Sequence, residues 1–281
     1  MTRIQELEKT ATQVRRDIIR MVHKVSSGHP GGSLGCTDFM TALYFEIMDH
    51  NPKAFNMDGK NEDVFFLSNG HISPLFYSVL ARNGYFSVSE LDSFRMIGSR
   101  LQGHPTPAEG LEGVRVASGS LGQGISVAIG TALSKKMNQD DKMVYVLTGD
   151  GELQEGQNWE ALMFAAAKKV DNIIVTVDYN KQQIDGSTDE VLYLGDLKAK
   201  FEAFGWTTIE MMGNNMTDVL EKMKVAKTLT GKQKPVAILM HTEMGYGVDF
   251  MVGTNKWHGM APNDEQTKIA LAQLEETLGD Y

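Results

Sequence analysis

The 281-residue sequence contains a single cysteine, Cys36. An internal disulfide is therefore excluded, as is any zinc site built from cysteine clusters, and a lone thiol suits a reducing compartment. Long apolar runs are lacking too: no stretch approaches the roughly 18 residues of a spanning helix. Thr2 to Lys9 carry Glu6 and Glu8 and no apolar run, which does not read as a signal peptide. The expectation is a cytoplasmic protein with no membrane partner. Positive charge is scarce, with 27 Lys and Arg against 36 Asp and Glu and a net charge of -9. No nucleic acid is expected as a bulk partner, because phosphate tracking needs clustered Lys and Arg. A local anion site built from backbone amides, histidines and a metal is still allowed. Paired carboxylates for glycoside chemistry, a Gly-x-Ser-x-Gly elbow and a Gly-Lys-Ser/Thr phosphate loop are all absent. With 42% apolar and 22% charged residues, the composition fits a globular fold and not a disordered chain.

What is present is an alternation of helical and strand patterns. Ile4, Leu7, Ala11, Val14, Ile18 and Met21 recur at steps of three and four, predicting an amphipathic helix that stops near Ser26. Further helices are predicted over Leu34 to Met48, Pro74 to Arg82, Val88 to Ile97, Gly122 to Lys136, Asn158 to Lys169, Thr217 to Leu229 and Ala261 to Leu278. Short apolar runs predict buried strands at Val64 to Leu67, Met143 to Leu147, Ile173 to Val177, Thr207 to Glu210 and Pro235 to Met240. Asn51 to Asp63 reads as a polar loop. Ser99 to Gly119 is a long aperiodic one, and loops of that length in compact domains are usually functional. Strand, helix and strand within about 35 residues make a βαβ unit with parallel strands. The whole predicts an α/β fold, a doubly wound parallel sheet with helices on both faces, forming one domain over residues 1–281. Ligands of such sheets sit beyond the carboxyl ends of the strands.

The sharpest motif is Gly149-Asp150-Gly151, directly after a predicted strand. Alone it reads as a turn. Asn180 falls at the end of the next strand, however, and neighbouring parallel strands bring their ends together. An acid and an amide oxygen there suit a divalent cation such as Mg²⁺ bridging to phosphate. The following helix would offer amides and a positive dipole end to the anion.

Four histidines sit beside glycine: His29 in Ser27-Gly28-His29-Pro30-Gly31, His71 in Ser68-Asn69-Gly70-His71, His104 in Gly103-His104-Pro105 and His258 in Trp257-His258-Gly259. Any one of them reads most simply as a loop residue with a local hydrogen bond. Four in such settings suggest imidazoles that contact phosphate or sugar hydroxyls and shuttle protons. His23, His50 and His241 lack that setting and read as structural. Ser118-Gly119-Ser120-Leu121-Gly122-Gln123-Gly124 opens a helix and could admit a flat ring. Thr242-Glu243-Met244-Gly245-Tyr246-Gly247 could cover the site or simply connect two elements.

On these residues the sequence resembles the transketolase family along nearly its whole length. The match runs from Ser27-Gly28-His29-Pro30-Gly31 through Leu67-Ser68-Asn69-Gly70-His71, Gly103-His104-Pro105, Leu121-Gly122-Gln123-Gly124 and Gly149-Asp150-Gly151 to His258-Gly259. The resemblance implies transfer of a two-carbon ketol unit between sugar phosphates, with thiamine diphosphate and a divalent metal (Mg²⁺, or Ca²⁺ or Mn²⁺) as cofactors. It implies that Asp150, Asn180 and the backbone carbonyl of Gln182 hold the metal, and that Gly151, His71 and His258 contact the diphosphate. His29, His104 and His258 would face the sugar as catalytic residues. Gly119 and Leu121 would lie along the pyrimidine, and Glu155 would link two cofactor sites of a dimer.

Three features depart from the single-chain family pattern. Ser120 replaces the usual proline, Gln182 replaces an apolar residue, and the sequence stops after the diphosphate-binding part. The resemblance is therefore to the N-terminal subunit of a split transketolase. It implies a C-terminal partner subunit carrying the pyrimidine-binding and C-terminal domains, in an α2β2 heterotetramer. The rival readings are another split thiamine enzyme, resembling 1-deoxyxylulose phosphate synthase or a ketol transferase for a different sugar, and an inert binding homologue. The glycine-flanked histidines favour transketolase over the synthase, and intact Asp150 and Asn180 argue against inertness.

Overall fold

The computed structural model describes residues 1–281. Seven strands are present: β1 (Val64–Leu67), β2 (Val144–Gly149), β3 (Ile173–Tyr179), β4 (Gln182–Gln183), β5 (Gly186–Ser187), β6 (Thr207–Met212) and β7 (Val236–His241). Five of them form one all-parallel sheet in the order β1-β2-β3-β7-β6. The short β4 and β5 pair as a separate antiparallel hairpin.

Ten α-helices surround the sheet: α1 (Arg3–Lys24), α2 (Pro30–Gly35), α3 (Thr37–Ala42), α4 (Ser73–Asn83), α5 (Gly124–Met137), α6 (Gly156–Ala167), α7 (Thr188–Leu192), α8 (Leu197–Ala203), α9 (Met216–Leu229) and α10 (Asp264–Gln273). Both faces are covered, so the strands are apolar on both sides. Along β2, Val144 and Val146 join the core beneath α5, α6 and α8, while Tyr145 and Leu147 join the opposite core beneath α1, α3, α4 and α9. In β1, Val64 and Phe66 alternate with Phe65 and Leu67 in the same way. This period of two is the pleat itself.

The longest helix, α1, starts at a capping box in which Thr2 and Gln5 satisfy each other's backbone amides. It packs on α2, α3, α4, α9 and α10. Its buried Arg15 pairs with Asp38 at 2.6 Å, and its buried Asp17 accepts two bonds from Arg82 and one from Ser78.

Three predicted helices differ. Leu34 to Met48 is not continuous: α2 ends at Gly35, Cys36 makes a break, and α3 passes into a π-turn over Leu43–Ile47. Gly35 lies against the Glu243 carbonyl, where a methyl would come within 2.9 Å, so close backbone approach governs this segment more than helix propensity does. Val88 to Ile97 contains only a 3₁₀ turn over Val88–Ser93, and the chain then turns through Arg95 at φ 56°. The last helix is confined to Asp264–Gln273, with an Asn263 capping box at its start.

Loss of side-chain volume between the layers should be costly. Leu147→Ala, at a fully buried position, is expected to destabilise the chain by about 2–5 kcal/mol. Urea unfolding should show a lower midpoint with an unchanged slope.

Candidate functional site

Four loops leave the carboxyl ends of β1, β2, β3 and β7, and with the Leu121 loop and the His258 segment they close around one cleft. Its lining includes His71, Leu121, Asp150, Asn180, Gln182 and His258. Gly151 lines it too, as do Asn69, Asp178, Ile184 and Met244, whose place there the sequence patterns did not reveal. Sheet order explains the location. β2 to β3 is connected through α6 on one face and β6 to β7 through α9 on the other, so the winding reverses between β3 and β7. Such a switch point leaves a crevice.

Register puts Gly149 opposite Asp178. The Asp150 carboxylate is 1% exposed; it accepts from the amides of Gly151 at 2.7 Å and Lys181 at 2.6 Å. Asn180 donates to Asp178 and accepts from the Gln182 amide, both at 2.8 Å. Thr242 at the end of β7 donates its hydroxyl to Asp178, tying β3 to β7. Two anionic oxygen groups are thus buried with no cationic side chain bonded to either. Burial, then the charge of Asp178, pushes Asp150 up to about 8; burial also raises Asp178. No set of three His, Cys, Asp or Glu side chains could hold a metal alone. An acid and two amide-type oxygens do fit a hard cation whose remaining ligands come from phosphate and water. One expected contact differs: Asp150 is followed by a 3₁₀ turn over Gly151–Gln154, and α6 begins only at Gly156.

Four imidazoles stand together across the cleft. The ring of His29 lies 5.2 Å from that of His71, 6.3 Å from His104 and 5.6 Å from His258, and His71 stacks on His258 at 4.9 Å. No ring nitrogen of these four bonds to the protein, and Nδ1 of both His29 and His258 is buried with no partner. The contrast with the other three is sharp: His23 meets Asp264, His50 meets Tyr85 and Tyr44, and His241 meets Glu210. Leaving a buried polar atom unpaired costs about 1–3 kcal/mol, so these rings are held for something outside the chain. Asn69 Oδ1 is likewise buried and unpaired in the same cleft. Burial, then the neighbouring His258, Arg95 and His104, pushes His29 down to about 4. Burial is also the first cause lowering His71, His104 and His258.

Glycines let the loops approach. A methyl on Gly119, at φ 120°, would lie 2.7 Å from the His104 ring, and one on Gly31 would lie 2.6 Å from Met244. Gly70 abuts Ser118 and Gly124 abuts Ser68 with no room for a Cβ. Glu155 is not in the cleft; it is exposed on the surface, with its Cβ against Gly122.

The shifted groups act on stability in opposite senses. Histidines with folded values below 6.5 protonate more readily when unfolded, so their contribution is present above that pH and lost as pH falls toward 4. Asp150 binds its proton more tightly when folded, so its contribution is full below 3.8 and lost as pH rises through about 8. The cation-free chain should therefore lose melting temperature between pH 6 and 9, and Asp150→Asn should flatten that decline. Equal slopes for the two proteins in thermal melts would show that Asp150 is not the group responsible.

Residues 7–279 match the family described as "Transketolase, thiamine diphosphate binding domain". One of the two subunits of the apulose-4-phosphate transketolase of Phocaeicola vulgatus is 37% identical over 278 residues, covering 98% of this chain and 96% of that protein. The 6-deoxy-6-sulfo-D-fructose transketolase subunit SqwG of a Clostridium species is 38% identical, covering 96% and 97%. The crystal structure of Campylobacter jejuni transketolase superposes with a TM-score of 0.89 at 34% identity, covering 97% of this chain but 43% of that one. The chain thus spans nearly the whole of the subunit relatives and about two fifths of the single-chain ones. By sequence match and by structure, this chain belongs to the transketolase family.

Proposed function

We propose that this chain, as one diphosphate-binding domain over residues 1–281, is half of a two-subunit cytoplasmic transketolase that moves a two-carbon ketol unit from a ketose phosphate to an aldose phosphate. The observation that carries the reading is the set of four imidazoles, none bonded to the protein, facing buried oxygen ligands across one cleft. A scaffold role would not require them to stand unpaired.

The Asp150 and Asn180 side chains and the Gln182 carbonyl would hold Mg²⁺ or a similar hard cation. Its charge would offset the repulsion between Asp150 and a diphosphate. Gly151, His71 and His258 would bind the diphosphate, with Gly119 and Leu121 along the pyrimidine. The thiazolium ring supplies the carbanion stabilisation that no side chain provides. The chain's own task is then binding and proton handling. A neutral imidazole holds a proton on one ring nitrogen and a lone pair on the other. His29 and His104, with His258 beside them, can therefore donate to a developing alkoxide oxygen on the sugar or accept a hydroxyl proton from it. Their low pKa values keep them in that two-way state at neutral pH.

The site is open on one side. Leu121 and Ile184, both exposed, stand at its mouth, and Val191, Leu192 and Tyr193 add exposed apolar surface after β5. This rim suits a partner subunit carrying the pyrimidine-binding and C-terminal domains in an α2β2 assembly, with Glu155 at the contact between cofactor sites. The two subunit relatives are named for different ketoses, so donor choice is the part of the reading a substrate survey must fill in.

The deciding assay uses thiamine diphosphate, Mg²⁺, xylulose 5-phosphate and ribose 5-phosphate. The isolated chain should show no ketol transfer, and adding the partner subunit should restore it; robust turnover by the chain alone would overturn the two-subunit reading. Within the complex, Asp150→Ala and Asn180→Ala should lose metal-dependent cofactor retention while keeping the fold, measured by calorimetry and circular dichroism. His29→Ala or His104→Ala should lower turnover about a hundredfold, whereas His71→Ala should weaken cofactor binding. Unchanged turnover in the first pair would leave those two rings without a role in the reaction.

A further inference from the structure

Glu152 stands out from the other acids of the cleft because its carboxylate is already full. It is 2% exposed. Oε1 accepts the Ser68 hydroxyl and the Gly122 amide, the latter at 2.7 Å. Oε2 accepts the Thr148 hydroxyl at 2.7 Å and the Gly149 amide at 3.2 Å. A carboxylate offers about four lone-pair sites, and all four are used. None is left for a metal, a substrate hydroxyl or a proton in transit. Glu152 therefore cannot act on a ligand directly, although it lines the same cleft as Asp150.

What it joins is informative. Ser68 follows β1, Thr148 and Gly149 end β2, and Gly122 lies in the loop entering α5. Ser68 passes the link on, since its oxygen accepts the Gly124 amide at 3.1 Å. That fixes the direction of the Ser68 hydroxyl toward Glu152. Amides at the entry to α5, which a ligand anion could have claimed, are thus taken by an internal anion and its relay. The residues carried on the tied segments are the ones proposed above for the cofactor: His71 three residues beyond Ser68, Leu121 directly before Gly122, and Asp150 directly after Gly149.

We propose that Glu152 is a positioning residue that holds three ligand-bearing loops in one register before any cofactor arrives. The proposal rests on the reading that this cleft takes thiamine diphosphate. A Gln at position 152 has nearly the same shape but one acceptor oxygen. Its NH₂ would face either the Gly122 or the Gly149 amide, donor against donor, whichever way it is turned.

Two measurements separate this role from a merely structural one. First, hydrogen exchange on the cofactor-free chain: Glu152→Gln should speed exchange at Gly122 and Gly124 about tenfold or more, with β2 and β3 core amides essentially unchanged. Second, in the complex with its partner, the thiamine diphosphate dissociation constant should rise about ten- to a hundredfold, while kcat at saturating cofactor stays within about threefold of the parent. An unchanged loop exchange rate overturns the proposal, as does faster exchange spread evenly over the sheet. A fall in kcat with unaltered cofactor affinity also overturns it. Should Glu152→Gln fail to fold, Ser68→Ala and Thr148→Val each remove one donor and carry the same test with smaller shifts. If the parent complex binds no thiamine diphosphate at all, the cofactor reading fails, while the exchange data still decide whether Glu152 sets the loops.

Discussion

In a parallel sheet every strand ends beside its neighbour's end, and here that register fixes where each ligand-bearing loop departs. Leu67 pairs with Leu147, Gly149 with Asp178 and Tyr179 with His241. The consequence is that groups more than a hundred residues apart in sequence hang from one line of backbone. A slip of one residue in β2 would turn its core side chains to the other face and carry Asp150 away from the Asn180 turn. The two apolar cores hold that register by opposing each strand from both sides. Packing and site geometry are therefore one constraint here, since the same side chains that fill the layers also determine where the loops begin.

Within that frame the cleft is costly to the chain by itself. Two buried carboxylates have no bonded cationic side chain, and two imidazole nitrogens and an amide oxygen are buried without partners. Each such group lowers stability by an amount comparable to a core substitution. The stability comes from elsewhere: the uninterrupted strands, the long capped α1, and buried ion pairs such as Arg15 with Asp38. This division, a well-satisfied scaffold carrying an unsatisfied cleft, is what binding sites require.

Much of the scaffold is legible from periodicity. All five strands of the main sheet and the first helix can be read, because an apolar run bounded by turns has few alternatives in a layered α/β protein. Asp150 and Asn180 can be placed together from their positions at strand ends. The breaks in Leu34 to Met48 are not legible, because they answer to the Glu243 backbone more than 190 residues on. Glu152 reads in the sequence as one more acid in a polar turn; only its four partners from three segments reveal what it does. The β4–β5 hairpin is also hidden, being two residues on each strand, too short to carry a period. The unpaired state of the histidines cannot be read at all. Glycine neighbours hint at it, yet the distinction from His23, His50 and His241 lies in contacts, not in spacing.

The interlocked glycines have a consequence for how such a chain can change over generations. Gly31, Gly70, Gly119 and Gly124 each lie against an atom from a different loop. Every other amino acid adds at least a Cβ, so any replacement at one of them requires a simultaneous adjustment across the cleft. Stepwise drift is blocked there, and the four loops are inherited as a block. Diversification is left to positions that face outward, such as Ile184 and Leu121 at the mouth, where a substitution can alter what enters without disturbing how the loops fit one another.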